Sequence, residues 1–235
     1  MHIPDGFIDG GTSLGAGVIA TGAVAVCLRR TAQVLDDRQI PMVGLTAAFV
    51  FAAQMINFPV ASGTSGHLLG GVLAAVLVGP WAGALAVTVV LVVQALLFAD
   101  GGLSALGLNV INMALVGALA GYAIFAGLRS LLPRTRSTIV AASGIAAALA
   151  PLMGSAMFTL EYSIGGNGAT SIRTVATAMI GVHTLIGIGE GVITAMTVSA
   201  VLATRPDLVH GAKPLRLRGA QSVPIVEIDT VGTTR

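Results

Sequence analysis

The sequence predicts an all-α fold: a polytopic membrane bundle of about seven transmembrane helices. Of the 235 residues, 55% are hydrophobic and only 9% are charged, and the mean hydropathy is +0.92. A soluble domain carries roughly a quarter charged residues, so this chain lacks the polar surface to face water on all sides. Seven apolar stretches approach the length of about 20 residues that a helix needs to cross a bilayer. None of them shows the sustained alternation of a membrane β-barrel.

The stretches differ in length and polarity. The third is short and the second contains Gln54, so we expect these two to be tilted, partial or buried against neighbours. Glycines spaced four apart, as at Gly187 and Gly191, allow helix backbones to approach closely and favour a compact bundle. In chain order the stretches run approximately over 11–28, 41–57, 65–79, 81–99, 104–127, 137–160 and 174–203.

The basic residues predict the orientation. With seven spans and the N-terminus outside, Arg173 is the only one of the 12 Lys and Arg residues that falls on the outer side. This agrees with the positive-inside rule, whereas the opposite orientation violates it. We therefore expect an external N-terminus and an internal C-terminus. The inner residues are Arg29, Arg30, Arg38, Arg129, Arg134, Arg136, Arg205, Lys213, Arg216, Arg218 and Arg235.

The chain divides into a membrane domain over 1–204 and a polar tail over 205–235. The tail contains Pro206, Pro214 and Pro224 and has too little apolar content for a core of its own. The simplest interpretation is a flexible cytoplasmic extension, and the alternative is a docking segment for a partner.

The residues before the first apolar stretch are acidic rather than basic. Asp5 and Asp9 precede it, which is the wrong flank for a cleaved signal peptide. We therefore expect Met1 and His2 to be retained. The α-amino group of Met1, the amide nitrogen of His2 and Nδ1 of its ring can close two fused chelate rings on one transition metal.

The loop after the second stretch carries another histidine. Asn57 ends the preceding helix, and Thr64 or Ser65 is expected to cap the next one, with His67 in its first turn. The predicted topology puts His67 on the same side as Met1 and His2. A single histidine at this place is often only an interfacial polar residue, but His67 could also supply a fourth nitrogen.

Such a donor set would be tetragonal. Fused rings hold the three N-terminal nitrogens nearly coplanar, and His67 completes the square. This geometry suits Cu(II) and Ni(II), and low-spin Co(II) by extension, better than the tetrahedron that zinc prefers. The ligands must be unprotonated, so affinity should fall as pH drops.

A second polar group lies within the apolar stretches. His183 and Glu190 are seven residues apart, hence on one helical face. An ionisable residue inside a membrane is a functional candidate by default, although Glu190 could equally be protonated or hydrogen-bonded to fasten helices together. Gln94, Asn109 and Asn112 are its candidate partners. Asp100, at the outer face, could order the N-terminal loop or support its ligands. The other candidates for supporting the ligands or lining a pathway are Asp5, Asn57, Thr64, Ser65, Asn109, Asn112, His183 and Glu190.

Several signatures of other functions are missing from the sequence. There is no zinc-protease His-Glu-x-x-His, no Gly-x-Ser-x-Gly elbow and no phosphate-binding Gly-x4-Gly-Lys loop. We therefore expect no enzyme and no nucleotide bound by this chain, so that any ATP hydrolysis belongs to a partner. The single cysteine, Cys27, excludes a disulfide framework and a thiolate zinc site.

Five blocks of the sequence resemble the CbiM/NikM proteins, the substrate-capturing membrane components of energy-coupling factor transporters for cobalt or nickel. The resemblance covers about residues 1–203 and leaves the tail outside. The blocks occur in the expected order, which makes the resemblance specific. They are Met1 to Phe7, Asn57 to His67, Gln94 to Gly102, Asn109-x2-Asn112-Met113 and His183-x6-Glu190-Gly191.

The resemblance implies a site and an assembly. Its metal ligands correspond to Met1, His2 and His67, on an external N-terminus that folds back into the bundle. The substrate is Co(II) or Ni(II), with cobalt for cobalamin synthesis favoured and nickel close behind. The implied partners are a transmembrane coupling protein of the CbiQ type, cytoplasmic ATPases of the CbiO type and a small CbiN-like membrane subunit, in the cell membrane of a prokaryote. No nucleic-acid partner is expected.

Other classes of function stay open at this point. The runner-up is a stand-alone secondary metal transporter driven by protons through Glu190 and His183. An intramembrane enzyme has little support, because no nucleophile–base pair is apparent. A purely structural bundle would gain no stability from metal.

Overall fold

The computed structural model describes residues 1–60 and 65–213 and has an all-helical membrane fold. Helices occupy all seven predicted stretches. A single two-residue antiparallel pair joins β1 (Phe58–Pro59) to β2 (Ser65–Gly66). The helices are α1 (Gly10–Val34), α2 (Ile40–Gln54), α3 (Gly71–Val78), α4 (Pro80–Leu97), α5 (Leu106–Leu131), α6 (Arg136–Gly165) and α7 (Ile172–Thr204).

Five of these helices are long and apolar enough to cross a membrane: α1, α4, α5, α6 and α7. They expose large apolar side chains, such as Leu14 at 72% and Leu185 at 71%, which suits contact with lipid. The second and third predicted stretches contain shorter helices of 15 and 8 residues. An eight-residue helix is only about 12 Å long, and α3 is buried within the bundle over Gly71–Leu77.

The start of α3 differs from the expectation. The chain was expected to enter this helix near Thr64 or Ser65, but Ser65 lies in β2 and Thr64 is outside the described residues. The helix begins at Gly71, because Gly70 has the left-handed φ of +71° and ends the preceding irregular segment. His67 therefore lies in a loop inside the bundle and not in a helical turn.

Helices α6 and α7 form a tightly packed antiparallel hairpin. A Cβ at Gly191 would lie 2.8 Å from the Gly144 carbonyl oxygen, and one at Gly187 would collide with the carbonyl of Ala148. Gly187 meets Ala148 and Gly191 meets Gly144, so residue numbers rise along α7 while they fall along α6. The two helices are therefore antiparallel. The glycine spacing in α7 thus allows close backbone approach, as the sequence predicts.

The middle of α5 departs from α-helical winding. Its residues Val110–Ala120 form a π-helix, which directly follows Asn109. Such winding is rare and is frequently found at functional sites. Here the π-helix follows Asn109, whose side chain hydrogen-bonds the backbone of Ile3 in the N-terminal segment.

The core has two main parts. Residues 1–8 contribute Met1, Ile3, Phe7 and Ile8 to one cluster, in which the Phe7 ring packs against Phe158 and Tyr162. The other cluster occupies the far end of α5, α6 and α7 and includes Val209 and Ala212. The boundary between membrane domain and tail at 204–205 stays a prediction, but the first residues beyond it pack against the bundle as short helical turns, Pro206–Leu208 and His210–Ala212. The rest of the predicted tail, 214–235, lies outside the described residues.

Candidate metal centre

The N-terminal segment is inserted into the bundle and held there by its backbone. Met1 and Ile3 are fully buried and His2 is 3% exposed. The Ile3 N–H donates to Oδ1 of Asn109 at 2.7 Å, and Nδ2 of Asn109 donates to the Ile3 carbonyl at 3.2 Å. The same carbonyl accepts the N–H of Gly102 at 2.8 Å. Asn109 therefore positions the N-terminus, the role of a supporting residue rather than of a partner for Glu190.

Two further contacts fix the segment at its exposed end. Oδ1 of Asp5 accepts the N–H and the hydroxyl of Ser104 at 2.8 and 2.6 Å, and these bonds lower the pKa of Asp5. Nδ2 of Asn167 donates to the Gly6 carbonyl at 3.2 Å. Asp5 thus anchors the chain at the surface, away from the histidines. Ser104 and Asn167 were not among the predicted site residues.

The two predicted ligand histidines lie together. The ring centroids of His2 and His67 are 4.6 Å apart, with the planes tilted by 33°. Nδ1 of His67 is 2.7 Å from the Leu68 carbonyl, which can only accept, so this nitrogen carries the proton. Nε2 of His67 is then a buried lone pair without a hydrogen-bond partner in the described part of the chain. An orphaned imidazole nitrogen of this kind is suited to a metal.

The loop that carries His67 is braced from two helices. Both carboxylate oxygens of Glu190 accept main-chain N–H groups, of Leu69 at 2.7 Å and of Gly70 at 2.9 Å. Nε2 of Gln54 donates to the Leu69 carbonyl at 2.6 Å. The expectation that Gln94, Asn109 or Asn112 partners Glu190 is therefore wrong. Glu190 instead satisfies backbone donors that the irregular segment leaves without helical acceptors.

Asp100 approaches the other side of the site. Its Oδ2 lies 3.6 Å from Nε2 of His2, and its carboxylate also bonds the side chain of Asn57. Gly101, with φ of +92°, allows this approach, because a Cβ there would lie 2.8 Å from Nδ1 of His2. Burial raises the pKa of Asp100, and the nearby amino group of Met1 partly opposes this. The structure thus places two of the predicted supporting candidates, Asp100 and Asn57, beside His2.

Burial keeps the nitrogen donors unprotonated. It lowers the pKa of the Met1 amino group to about 4, although Asp100 acts in the opposite direction. Burial, with repulsion from that amino group, also lowers the pKa of His2 and of His67 well below the ordinary value. At neutral pH the amine and both rings therefore retain the lone pairs that metal coordination needs.

The remaining predicted residues lie beside the N-terminal segment. A Cβ at Gly154 would lie 2.8 Å from the sulfur of Met1 and 3.3 Å from the Asn112 carbonyl oxygen, and His183 is within electrostatic range of the Met1 amino group. Nδ1 of His183 hydrogen-bonds the Met179 carbonyl one helical turn away at 2.7 Å, and its Nε2 is buried without a partner among the described residues. Asn112 donates to Oε2 of Glu161 at 2.6 Å. Glu161, 4% exposed, was not predicted to belong to the site. The signal was present, since it is an acidic residue beside an apolar stretch, but the predicted stretch ended at 160.

The donor set available here is unusual. No three His, Cys, Asp or Glu side chains cluster as a metal site within residues 1–60 and 65–213. A metal bound beside His2 and His67 would therefore need main-chain nitrogen, which the buried amino group and amide of the N-terminal segment supply. The fold and these contacts define a class: a polytopic membrane protein whose own N-terminus forms part of a buried nitrogen-rich centre.

Comparison with known proteins identifies the family within this class of membrane proteins. The family model CbiM, described as "Cobalt uptake substrate-specific transmembrane region", matches residues 2–208. A protein of Haloquadratum walsbyi with a provisional name as a metal transport protein is 40% identical over 89% of this chain and 93% of its own length. A provisionally named fused nickel transport protein, NikMN, of Archaeoglobus fulgidus is also 40% identical, over 89% of this chain and 68% of its own length.

A solved structure has the same fold as this chain. A crystal structure of a transition metal transporter superposes with a TM-score of 0.82 at 29% identity and covers 93% of this chain and 100% of that one. The chain therefore belongs to the CbiM family, and it is a membrane component of cobalt or nickel transport.

Proposed function

We propose that this chain captures Co(II) or Ni(II) at the buried centre formed by Met1, His2 and His67. The observation that carries the proposal is the pairing of the His2 and His67 rings at 4.6 Å beside the buried amino group. The amino group, the His2 amide nitrogen, its ring and Nε2 of His67 make up the donor set. Four nitrogens in a square favour Ni(II) and low-spin Co(II) over zinc.

Other parts of the bundle support the ligands. Asn109 and Gly102 hold Ile3, while Glu190 and Gln54 hold the loop of His67. Asp100 accepts the Nε2 proton of His2 when Nδ1 binds the metal, which fixes the ring and strengthens it as a ligand. Asn112 and His183 lie close to the N-terminal segment, and we infer that they are the first residues on the pathway that the metal follows towards the opposite end.

We infer that the protein works in the cell membrane of a prokaryote with seven membrane-embedded helices, the N-terminus outside and the C-terminus inside. The distribution of basic residues supports this orientation. The short α2 and α3 would lie within the bilayer depth without spanning it alone. That arrangement is tolerated where irregular backbone is buried in protein, as around Gly70.

The import itself needs partners. We infer an energy-coupling factor assembly with a transmembrane coupling protein and cytoplasmic ATPases, which hydrolyse ATP while this chain binds no nucleotide. The word "fused" in the name of the NikMN relative, of which this chain covers 68%, supports a separate accessory membrane subunit for this chain. The metal would serve cobalamin synthesis or nickel enzymes.

The test is uptake of radiolabelled cobalt and nickel by cells that carry this chain and its partner genes. His2→Ala and His67→Ala should abolish uptake, while Asp37→Asn, at an exposed residue between α1 and α2, should leave it intact. Unchanged uptake in the His2 and His67 variants would refute the assigned site.

The runner-up, a proton-driven stand-alone transporter, uses Glu190 and His183. Both Glu190 oxygens already accept buried N–H groups, which favours a bracing role. Vesicles that contain this chain alone would decide between the two functions. Metal movement driven by a pH gradient without ATP would support the runner-up, and its absence with ATP-dependent movement in the full assembly would support import.

A further inference from the structure

A basic groove opens at the end of the bundle remote from the metal centre. It has a volume of about 350 Å³ and lies between the last turns of α5, the loop that follows α5 and the C-terminal turns. Asn109 of α5 contacts the N-terminal segment and the groove begins at Tyr122, so the groove lies roughly 20–30 Å from the centre along this helix. The residues that define it are Tyr122, Phe125, Arg129, Arg134, His210 and Lys213.

The rim of the groove is positively charged. None of the described residues that line it is acidic, and the positive charges of Arg129 and Arg134 repel each other. One guanidinium nitrogen of Arg129 donates to the Pro133 carbonyl at 3.1 Å and to the Thr138 hydroxyl at 2.6 Å, so this side chain is held in place. Arg134 and Lys213 are exposed. Such a cluster favours an anionic occupant.

The floor of the groove is apolar. The rings of Tyr122 and Phe125 pack with centroids 5.4 Å apart, and the edge of His210 meets Tyr122 at 6.0 Å. Phe125 is 2% exposed and continues into the buried cluster at this end. A ligand that fits the groove must therefore have a negatively charged group at the rim and apolar groups that contact the floor. A free inorganic anion meets only the first condition.

We propose that this groove binds the headgroup of an anionic phospholipid, with its phosphate between Arg134, Arg129 and Lys213 and its glycerol and upper acyl chain over Tyr122 and Phe125. The groove lies at the end of an apolar helix long enough to cross a bilayer, where a headgroup would be found. Arginine suits a phosphate because its planar fork makes two parallel hydrogen bonds. Basic pockets between helix ends are known to bind such headgroups.

The experiment uses the full chain, purified in detergent and stripped of lipid. Its melting temperature is followed while phosphatidylglycerol, phosphatidylcholine or inorganic phosphate is added. Phosphatidylglycerol should raise the melting temperature at low concentration, because a ligand that binds only the folded state stabilises it. Phosphatidylcholine and phosphate should not. A rise with phosphate alone would indicate a free-anion site, and an equal rise with phosphatidylcholine would indicate general lipid solvation; either result overturns the proposal.

Two pairs of variants locate the binding. Arg134→Gln with Lys213→Gln should weaken phosphatidylglycerol binding by about fivefold for each charge removed. Arg29→Gln with Arg30→Gln removes the same charge from exposed residues of α1 and should have little effect. Equal loss in the two double variants would reduce the effect to general surface charge and refute the site.

A further variant leaves every charge in place. Ala126 is exposed and lines the groove, so Ala126→Phe fills it without altering the basic rim. This variant should lose the phosphatidylglycerol response, while Arg134→Lys should keep most of it. If Ala126→Phe responds like the parent chain, the lipid does not occupy the groove.

Discussion

The carboxylate of Glu190 on α7 accepts the N–H of Leu69 at 2.7 Å, although 121 residues separate the two in the chain. With the bond to Gly70, this contact makes a residue deep in the last helix the acceptor for the loop of His67. If His67 binds the metal as proposed, its position depends on a carboxylate outside the proposed donor set.

Removing the carboxylate of Glu190 should destabilise the loop that carries His67. Glu190→Ala leaves two buried N–H groups unpaired and should cost roughly 2–6 kcal/mol of stability, while Glu190→Gln retains one acceptor and should cost roughly 1–3 kcal/mol. Both variants should also lose much of the metal-dependent rise in melting temperature. Asp37→Asn, on an exposed residue, is the matched control. If the alanine and control variants melt alike, Glu190 does not brace the loop.

Asn109 should be equally important for the N-terminal segment. Asn109→Ala removes both bonds to Ile3 and should weaken metal binding by about 1–3 kcal/mol, measured by titration calorimetry. Asn167→Ala removes only an exposed bond to Gly6 and should cost less. Similar affinities in the two variants would argue against a special role for Asn109.

Gly102 should not tolerate a side chain. A Cβ there would lie 2.7 Å from the Pro4 carbonyl carbon and would collide with the Asp5 nitrogen. Gly102→Ala should therefore displace the N-terminal segment at a cost on the order of 1–3 kcal/mol, with a matching loss of metal affinity. Gly127→Ala on α5 meets no atom within 4 Å and should be neutral or slightly stabilising. Metal binding by the Gly102 variant at the parent affinity would contradict the packing described above.

The contribution of the Met1 amino group to the stability of the metal-free protein should fall as pH falls from 8 towards 4, whereas the raised pKa of Asp100 acts in the opposite direction. The Met1 amino group has a folded pKa of about 4 and an unfolded value of 8.0, so within this window only the unfolded chain binds the proton. Protons then favour unfolding, and the lowered pKa values of His2 and His67 act in the same direction. Thermal melting across this range checks the slope. Acetylation of the amino group should reduce it, and an unchanged slope would mean that the amine is not buried as described.

The sequence was sufficient for the helices and for singling out His2, His67 and Asp100, which lie together in the structure, because apolar length and rare polar groups are strong signals in a membrane protein. It missed Ser104, Glu161 and Asn167. The sequence was not sufficient to predict which polar side chains hydrogen-bond each other across different helices. Asn112 bonds Glu161 and Asn109 bonds Ile3, and these partners are 49 and 106 residues away in the chain, beyond the reach of a helical or strand pattern. The start of α3 was misplaced because Gly70, and not a capping hydroxyl, ends the loop.

The most direct measurement is calorimetric titration of Ni(II) and Co(II) into the purified chain, compared with a chain that has two glycines before Met1, which moves the histidine to position 4, out of reach of fused chelate rings with the amine. Intact mass spectrometry of both samples defines their N-termini. The parent chain should bind one metal ion tightly, and the extended chain should bind weakly or not at all, because the added residues remove the amine from the donor set. Equal affinity in the two chains would contradict the use of the terminal nitrogen.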